Sequence, residues 1–295
     1  MPVLLALFSS ALWGTADFLG GNLTKRMSSY VVVGWSQAFG LASVVLICST
    51  FHGWGNWASV LWVGVGTGVS AYFALVFFYS ALSQGTMGVV APITATGAVV
   101  PVLFGLLTGD KPSWLQGAGI AVAFVGVIAA SGPEISGRNE SGWRPLVLAG
   151  LSAIGFGVAL SFLAVGSRTD VVATLGVERV VTVGLALGSL AVALIRQRSG
   201  HGGNGSALTR ARDLVALSRP DVVATAAIGI FDIGANIAFG VSTTLGLLSI
   251  VAIGGSLYPV VTVILAGIVL KERLARIEKI GVSLALLGVL LISAG

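Results

Sequence analysis

Four ionisable side chains lie inside apolar runs long enough to cross a bilayer: Asp17, the adjacent Glu178 and Arg179, and Asp232. A charge at the centre of a membrane helix costs about 2.5–3.5 kcal/mol on insertion scales, so it turns toward a bundle interior, a partner or a water-filled path. The chemistry on offer is limited and specific. A carboxylate can hold a cation or exchange a proton when its access to water changes, and a guanidinium fork matches a carboxylate, whether on the protein or on a ligand.

Helical spacing places these groups on polar stripes. Ser10, Gly14, Asp17, Gly21 and Thr24 recur at three- and four-residue steps beside Trp13. Thr225, Gly229, Asp232, Asn236, Gly240 and Thr243 repeat the arrangement, and Thr174, Glu178, Thr182 and Ser189 form a third stripe. Three helices each presenting a carboxylate among small and polar residues are what a hydrated central path requires. Glu178 immediately precedes Arg179 and points about 100° away, which makes it a poor partner on the helix face. Asp17 or Asp232 on another helix is the expected one, and a permanent buried pair stands beside a substrate or coupling role for Arg179. Asp17 and Asp232 are the expected proton or cation carriers. Gln37 and Asn236 divide evenly between the site and interhelical hydrogen bonding. Trp13, Tyr79 and Tyr258 are the aromatic candidates for a cavity wall.

The elements that must position these residues follow from composition. The chain is 56% hydrophobic and only 9% charged, against about 25% charged in soluble proteins. Apolar runs of about the 20 residues that span the hydrocarbon follow one another with short breaks. The expected fold is all-α and polytopic, with ten transmembrane helices near residues 2–23, 30–50, 58–82, 86–108, 113–131, 144–166, 171–195, 220–243, 246–270 and 276–294. Two polar connections stand out: 132–143, which divides the chain, and 196–219, in which ARDLVALSR has the composition of a surface helix. Pro92, Pro101 and Pro259 remove backbone donors in the fourth and ninth spans and predict kinks. Trp54, Trp57, Trp62, Trp114 and Trp143 near span ends suit interfacial belts. GxxxG at Gly64–Gly68, Gly105–Gly109 and Gly184–Gly188 predicts close helix packing.

Five spans on each side of the central linker predict two repeats, 1–132 and 144–295 joined by 133–143, and an odd number of spans inverts one against the other. A shift of 162 residues superposes Gly105, Gly119 and Gly126 on Gly267, Gly281 and Gly288, and Asp110–Lys111 on Glu272–Arg273. Trp13–Gly14 falls on Phe156–Gly157. Thirteen lysines and arginines flank the odd-numbered connections and two the even ones, which places both termini outside by the positive-inside rule.

The span count, ALWGTADFLGG at Ala11–Gly21, Tyr258–Pro259 and LKERL at Leu270–Leu274 resemble the EamA-like branch of the drug/metabolite transporter superfamily along the whole chain. The first half departs from the family pattern, with Gln37 where Arg179 stands in the second half and GDKPS in place of an LGERLS-like turn. The resemblance implies a secondary transporter exporting an amino acid or related small solute by alternating access, with protons as a candidate coupling ion, in a bacterial plasma (inner) membrane. It also implies cytoplasmic termini, opposite to the charge count. No cofactor, metal or nucleic acid is expected: His52 and His201 lack a ligating cluster, and no nucleotide-binding GxxxxGK[ST] loop occurs. Cys48 is the single cysteine, so no internal disulfide forms. HExxH and GxSxG are absent, which argues against a hydrolytic enzyme. A translocase for a lipid-linked headgroup and a non-transporting receptor or scaffold are the alternatives. The sequence leaves the oligomeric state open, with membrane lipids as the surrounding partner.

Overall fold

Backbone polar groups in hydrocarbon must be satisfied within their own segment, and long apolar runs meet that demand as helices. The computed structural model describes residues 1–52, 55, 57–85, 87–130, 143–200, 217–269 and 276–295, and these are helical throughout with short connections. The helices are α1 (Pro2–Thr24), α2 (Ser29–Ile47), α3 (Leu61–Gln84), α4 (Met87–Ala95), α5 (Val99–Leu107), α6 (Trp114–Ala130), α7 (Arg144–Ser167), α8 (Val171–Gly200), α9 (Arg219–Leu245), α10 (Leu248–Gly255), α11 (Tyr258–Val269) and α12 (Arg276–Ala294). A π-helical turn, Cys48–His52, extends α2.

Among the described residues six helical segments are long and apolar enough to cross a membrane: Pro2–Thr24, Ser29–Phe51, Trp57–Gln84, Arg144–Ser167, Val171–Val192 and Arg219–Leu245. Four shorter apolar stretches, Ile93–Leu107, Trp114–Ala129, Leu248–Thr262 and Lys279–Ile292, occupy the places of the fourth, fifth, ninth and tenth expected spans. Local signals set several starts. Ser113 and Gln116 exchange side-chain-to-backbone hydrogen bonds of 3.1 and 2.9 Å in a capping box for α6. Asp170 Oδ1 accepts the Ala173 amide at 2.9 Å to cap α8, and Pro2, Pro145 and Pro220 stand in the first turns of α1, α7 and α9, where no donor is needed.

Two apolar crossings are broken. A 3₁₀ turn, Thr96–Ala98, separates α4 from α5, and Ser256–Leu257 separates α10 from α11. Proline explains both. Pro101 withholds the N–H that would close on the Gly97 carbonyl, and Pro259 does the same to Gly255. Each break packs on a glycine. A Cβ on Gly157 would lie 2.5 Å from the Gly97 oxygen and 2.6 Å from Val100 Cβ; on Gly14 it would lie 2.6 Å from the Tyr258 oxygen and 2.7 Å from Val261 Cβ.

Helices pack across the middle of the chain as α1 on α9, α3 on α7, α2 on α8 and α6 on α12. The last pair is held by small residues: a Cβ on Gly126 would fall 2.3 Å from the Ala285 amide nitrogen, and one on Gly288 would fall 2.4 Å from that of Ala123. These are the same contact with its partners exchanged under the 162-residue shift.

Several expectations are corrected. Of the three GxxxG motifs, Gly64–Gly68 packs helix on helix with both glycines, against Val177 and Val181 of α8, and Gly105–Gly109 with its first alone, where a Cβ on Gly105 would lie 3.1 Å from the Ser249 amide nitrogen of α10. Gly184 and Gly188 have open space around them, and Gly109 instead takes a positive φ of 115° at the turn after α5. The connection expected from residue 196 begins later, because α8 runs to Gly200. Trp57 packs in the core beside Val60 and Val177, whereas Trp62, Trp114 and Trp143 are exposed as a belt requires. Trp54, the central linker at 132–142, ARDLVALSR through residue 216 and LKERL lie outside the described residues.

Candidate functional site

Arg179 sits on α8 with 1% of its surface exposed, a large cation in the middle of the bundle. Space for it comes from α2, where a Cβ on Gly40 would come within 3.3 Å of the side chain. Its NH2 donates to Asp232 Oδ2 of α9 at 2.6 Å, and its NH1 donates to Gln37 Oε1 of α2. Its Nε lies 3.0 Å from Glu178 Oε2, off the line of the N–H, so this third contact is an ion pair without a hydrogen bond. Glu178 is thus a partner after all. The two Cα–Cβ directions diverge, but the long arginine stem curls back far enough to bring the guanidinium to its neighbour.

Asp232 is saturated. Besides Arg179, its Oδ1 accepts from Trp13 Nε1 at 3.2 Å and from Asn236 Nδ2 at 3.1 Å. The same Asn236 nitrogen donates to the Asp232 backbone carbonyl at 2.7 Å. Helices α1, α2, α8 and α9 are joined at this carboxylate and guanidinium. A buried pair with so many partners is costly to break, because removing one member leaves the other charged and unpaired.

Beside the network lies a cavity of about 90 Å³, room for several waters or a compact solute. Seven of the residues singled out from sequence line it: Trp13, Asp17, Glu178, Arg179, Asp232, Asn236 and Tyr258. Two do not. Gln37 stands behind Arg179 as its acceptor, and Tyr79 packs against Gly20 and Phe78 in the apolar core. The expectation that Tyr79 shapes the wall is therefore corrected; the ring fills the space that glycine leaves on α1.

Asp17 differs from Asp232 in one respect that matters. Among the described residues no hydrogen-bond donor or cation contacts its carboxylate, although it faces the same cavity. Two hydroxyls are also without partners there, Thr94 Oγ1 and Tyr258 Oη. Most other hydroxyls in the bundle donate to a carbonyl one turn back, as Thr67 does to Val63 at 2.9 Å, the usual satisfaction of Ser and Thr in a helix.

Sequence reasoning missed Thr94 and Phe156, both of which line the cavity. Thr94 carried a signal as one of two hydroxyls, with Thr96, between Pro92 and Pro101. Phe156 carried one as the residue that falls on Trp13 when the two halves are superposed.

The sequence profile of the EamA-like transporter family matches residues 1–132 and again residues 143–294. A protein of known crystal structure superposes with a TM-score of 0.74 over 99% of this chain and 96% of its own, at 17% identity, a likeness of fold. In all, 29 solved chains match. No curated protein matches the sequence.

Proposed function

The chain belongs to the EamA-like transporter family, and from that premise we propose that it is a secondary transporter carrying a small solute through the central cavity by alternating access. The observation that carries this reading is the cavity itself: a largely apolar but carboxylate-bearing space lined by α1, α3, α7, α8 and α9 and bordered by the breaks in α4–α5 and α10–α11. Broken helices at mid-bundle are where transporters place irregular backbone, since it is tolerated only against protein or a water-filled space.

In this reading the moving parts are two inverted five-helix halves, residues 1–132 and 144–295, of ten spans in all. The double match of the family profile, the exchanged Gly–Ala contacts of α6 and α12, and the matching seats of Gly14 and Gly157 support it. One end is latched between halves: Asp110 Oδ2, after α5, accepts the Ser249 amide at the start of α10 at 2.7 Å. At the opposite end Arg26, after α1, pairs with Asp221 of α9 at 2.7 Å. Alternation would break one set of cross-half contacts as the other forms. Net export would be driven by exchange of solute for a proton at Asp17, the carboxylate with unoccupied oxygens.

The test is counterflow in proteoliposomes: protein preloaded with one member of a solute panel should take up its labelled form against a concentration step, with a pH jump changing the rate. Panels of small solutes and of lipid-linked sugars run in parallel separate a solute carrier from a headgroup translocase. Absence of flux for every solute, in vesicles where the protein is folded and binds ligand, would sink the transport reading.

A further inference from the structure

Hydrogen-bonding capacity around the cavity is divided unevenly, and the division depends on sign. The charged and amide donors on the wall are already engaged with protein groups. Arg179 donates NH1 to Gln37 and NH2 to Asp232, and its Nε faces the Glu178 carboxylate in an ion pair without a hydrogen bond. Trp13 gives its indole N–H to Asp232, and Asn236 gives its amide nitrogen to the side chain and backbone of the same residue. What remains is the Asp17 carboxylate, with no partner among the described residues, the Glu178 carboxylate, whose Oε2 is held by Arg179 in an ion pair but accepts no hydrogen bond, and two hydroxyls that serve either sign, Thr94 and Tyr258. Thr94 is 2% exposed, and an unpaired hydroxyl at that depth is a standing cost that a ligand's donor would remove.

An anionic group would have to displace Asp232 from Arg179 to find a cation. A cationic group finds Asp17 waiting. The rest of the wall is apolar and aromatic, with Trp13, Phe156, Leu75, Leu160 and Leu163. A bare metal ion needs about six oxygen ligands, whereas an alkylammonium needs three acceptors and an apolar surface for its body, with aromatic faces adding cation–π attraction.

Resting on the reading of this cavity as the transport site, we infer that the group it recognises is a protonated amine on a short apolar body, received by Asp17 with the Thr94 and Tyr258 hydroxyls beside it. The carboxylate of an amino acid adds nothing to this recognition and works against it.

A matched ligand set tests this on the detergent-purified protein by calorimetry and thermal unfolding: 3-methylbutylamine, leucine methyl ester, leucine and 4-methylpentanoate, which share one apolar body and differ in charge. The amine and the ester should bind at least tenfold more tightly than leucine, and the acid should not bind. Asp17→Asn should weaken the amine at least tenfold while leaving the unliganded melting temperature within a few degrees, since the carboxylate loses no protein partner. Thr94→Val, which keeps the shape and removes the orphan hydroxyl, should weaken the amine and raise the unliganded melting temperature. A merely structural threonine would not give both signs. Sodium chloride in place of potassium chloride should not compete. Leucine or the acid binding as tightly as the amine, amine affinity unchanged in both variants, competition by sodium, or no binding of the amine at millimolar concentration would each overturn the inference. Flux in vesicles then separates the two claims. Amine binding without flux supports the cation site and counts against transport; flux of an uncharged or anionic solute that the amine does not inhibit keeps transport and removes the cation site.

Discussion

Two contacts join helices from the two stretches that the family profile matches, and they are built from opposite materials. Where α6 meets α12, Gly126 faces Ala285 and Gly288 faces Ala123, the same pairing with partners exchanged. Where α2 meets α8, Gln37 and Arg179 face each other as acceptor and donor. Self-complementary packing tolerates identical residues on both sides, because a small residue fits a small residue. A charge does not: two arginines brought together there would repel in a dry interior. A single arginine satisfied by an amide resolves the conflict, and the polar network grows on the side that carries the cation. The cavity's polar network is therefore one-sided, whereas the α6–α12 contact reads the same from either helix.

The largest effect should come from breaking the symmetric contact. Gly126→Leu or Gly288→Leu places a side chain 2.3–2.4 Å from backbone that cannot yield, so α6 and α12 must separate. We expect a loss of more than about 3 kcal/mol, above the 1–3 kcal/mol usual for overpacking, read as failure to recover monodisperse protein by size exclusion. Normal recovery of both variants would show that this contact does not hold the bundle.

Next comes the asymmetric contact. Arg179→Gln leaves Asp232 and Glu178 without their cation and should cost about 3–5 kcal/mol, the range for removing one member of a buried pair. Asp232→Asn should fall in the same range, and the double variant should lose much less than the sum of the two. Thermal unfolding of all three measures the coupling; additive losses would mean that the pair acts independently of its geometry. Asp17→Asn sharpens the contrast, with a stability change within about 0.5 kcal/mol, as for sites without a structural mechanism.

A smaller effect is expected at the latch. Asp110→Ala removes the acceptor for the Ser249 amide and should cost about 1 kcal/mol, as for loss of a helix cap. In the transport reading it also biases access. A cysteine placed at Ser249 should then react faster with a membrane-impermeant maleimide in the Asp110→Ala background, and an unchanged rate would exclude a latch.

The smallest effect separates two motifs that look alike in sequence. Gly184→Ala has nothing within 4 Å to meet and should gain up to about 1 kcal/mol from helix propensity. Gly64→Ala would put its Cβ 2.6 Å from Val177 Cβ and should destabilise. Equal melting temperatures for the two would mean that neither glycine sits at a packed crossing.

Apolar length and composition determined where helices must run, and the four buried charges marked the centre of the site. Pro101 and Pro259 foretold the two breaks, because a missing donor is a local property of the chain. Partner choice was not local. Spacing along one helix argued against Glu178 as a contact of Arg179, and only the folded bundle shows that a flexible arginine stem reaches it. Tyr79 and Tyr258 are both aromatic residues in mid-span, and only packing against Gly20 removes the first from the cavity wall. Asp17 and Asp232 are the same residue type on matching polar stripes. Among the described residues one is clamped by three side chains and the other by none, because hydrogen bonds between helices depend on which faces meet, and that is settled only when the bundle closes.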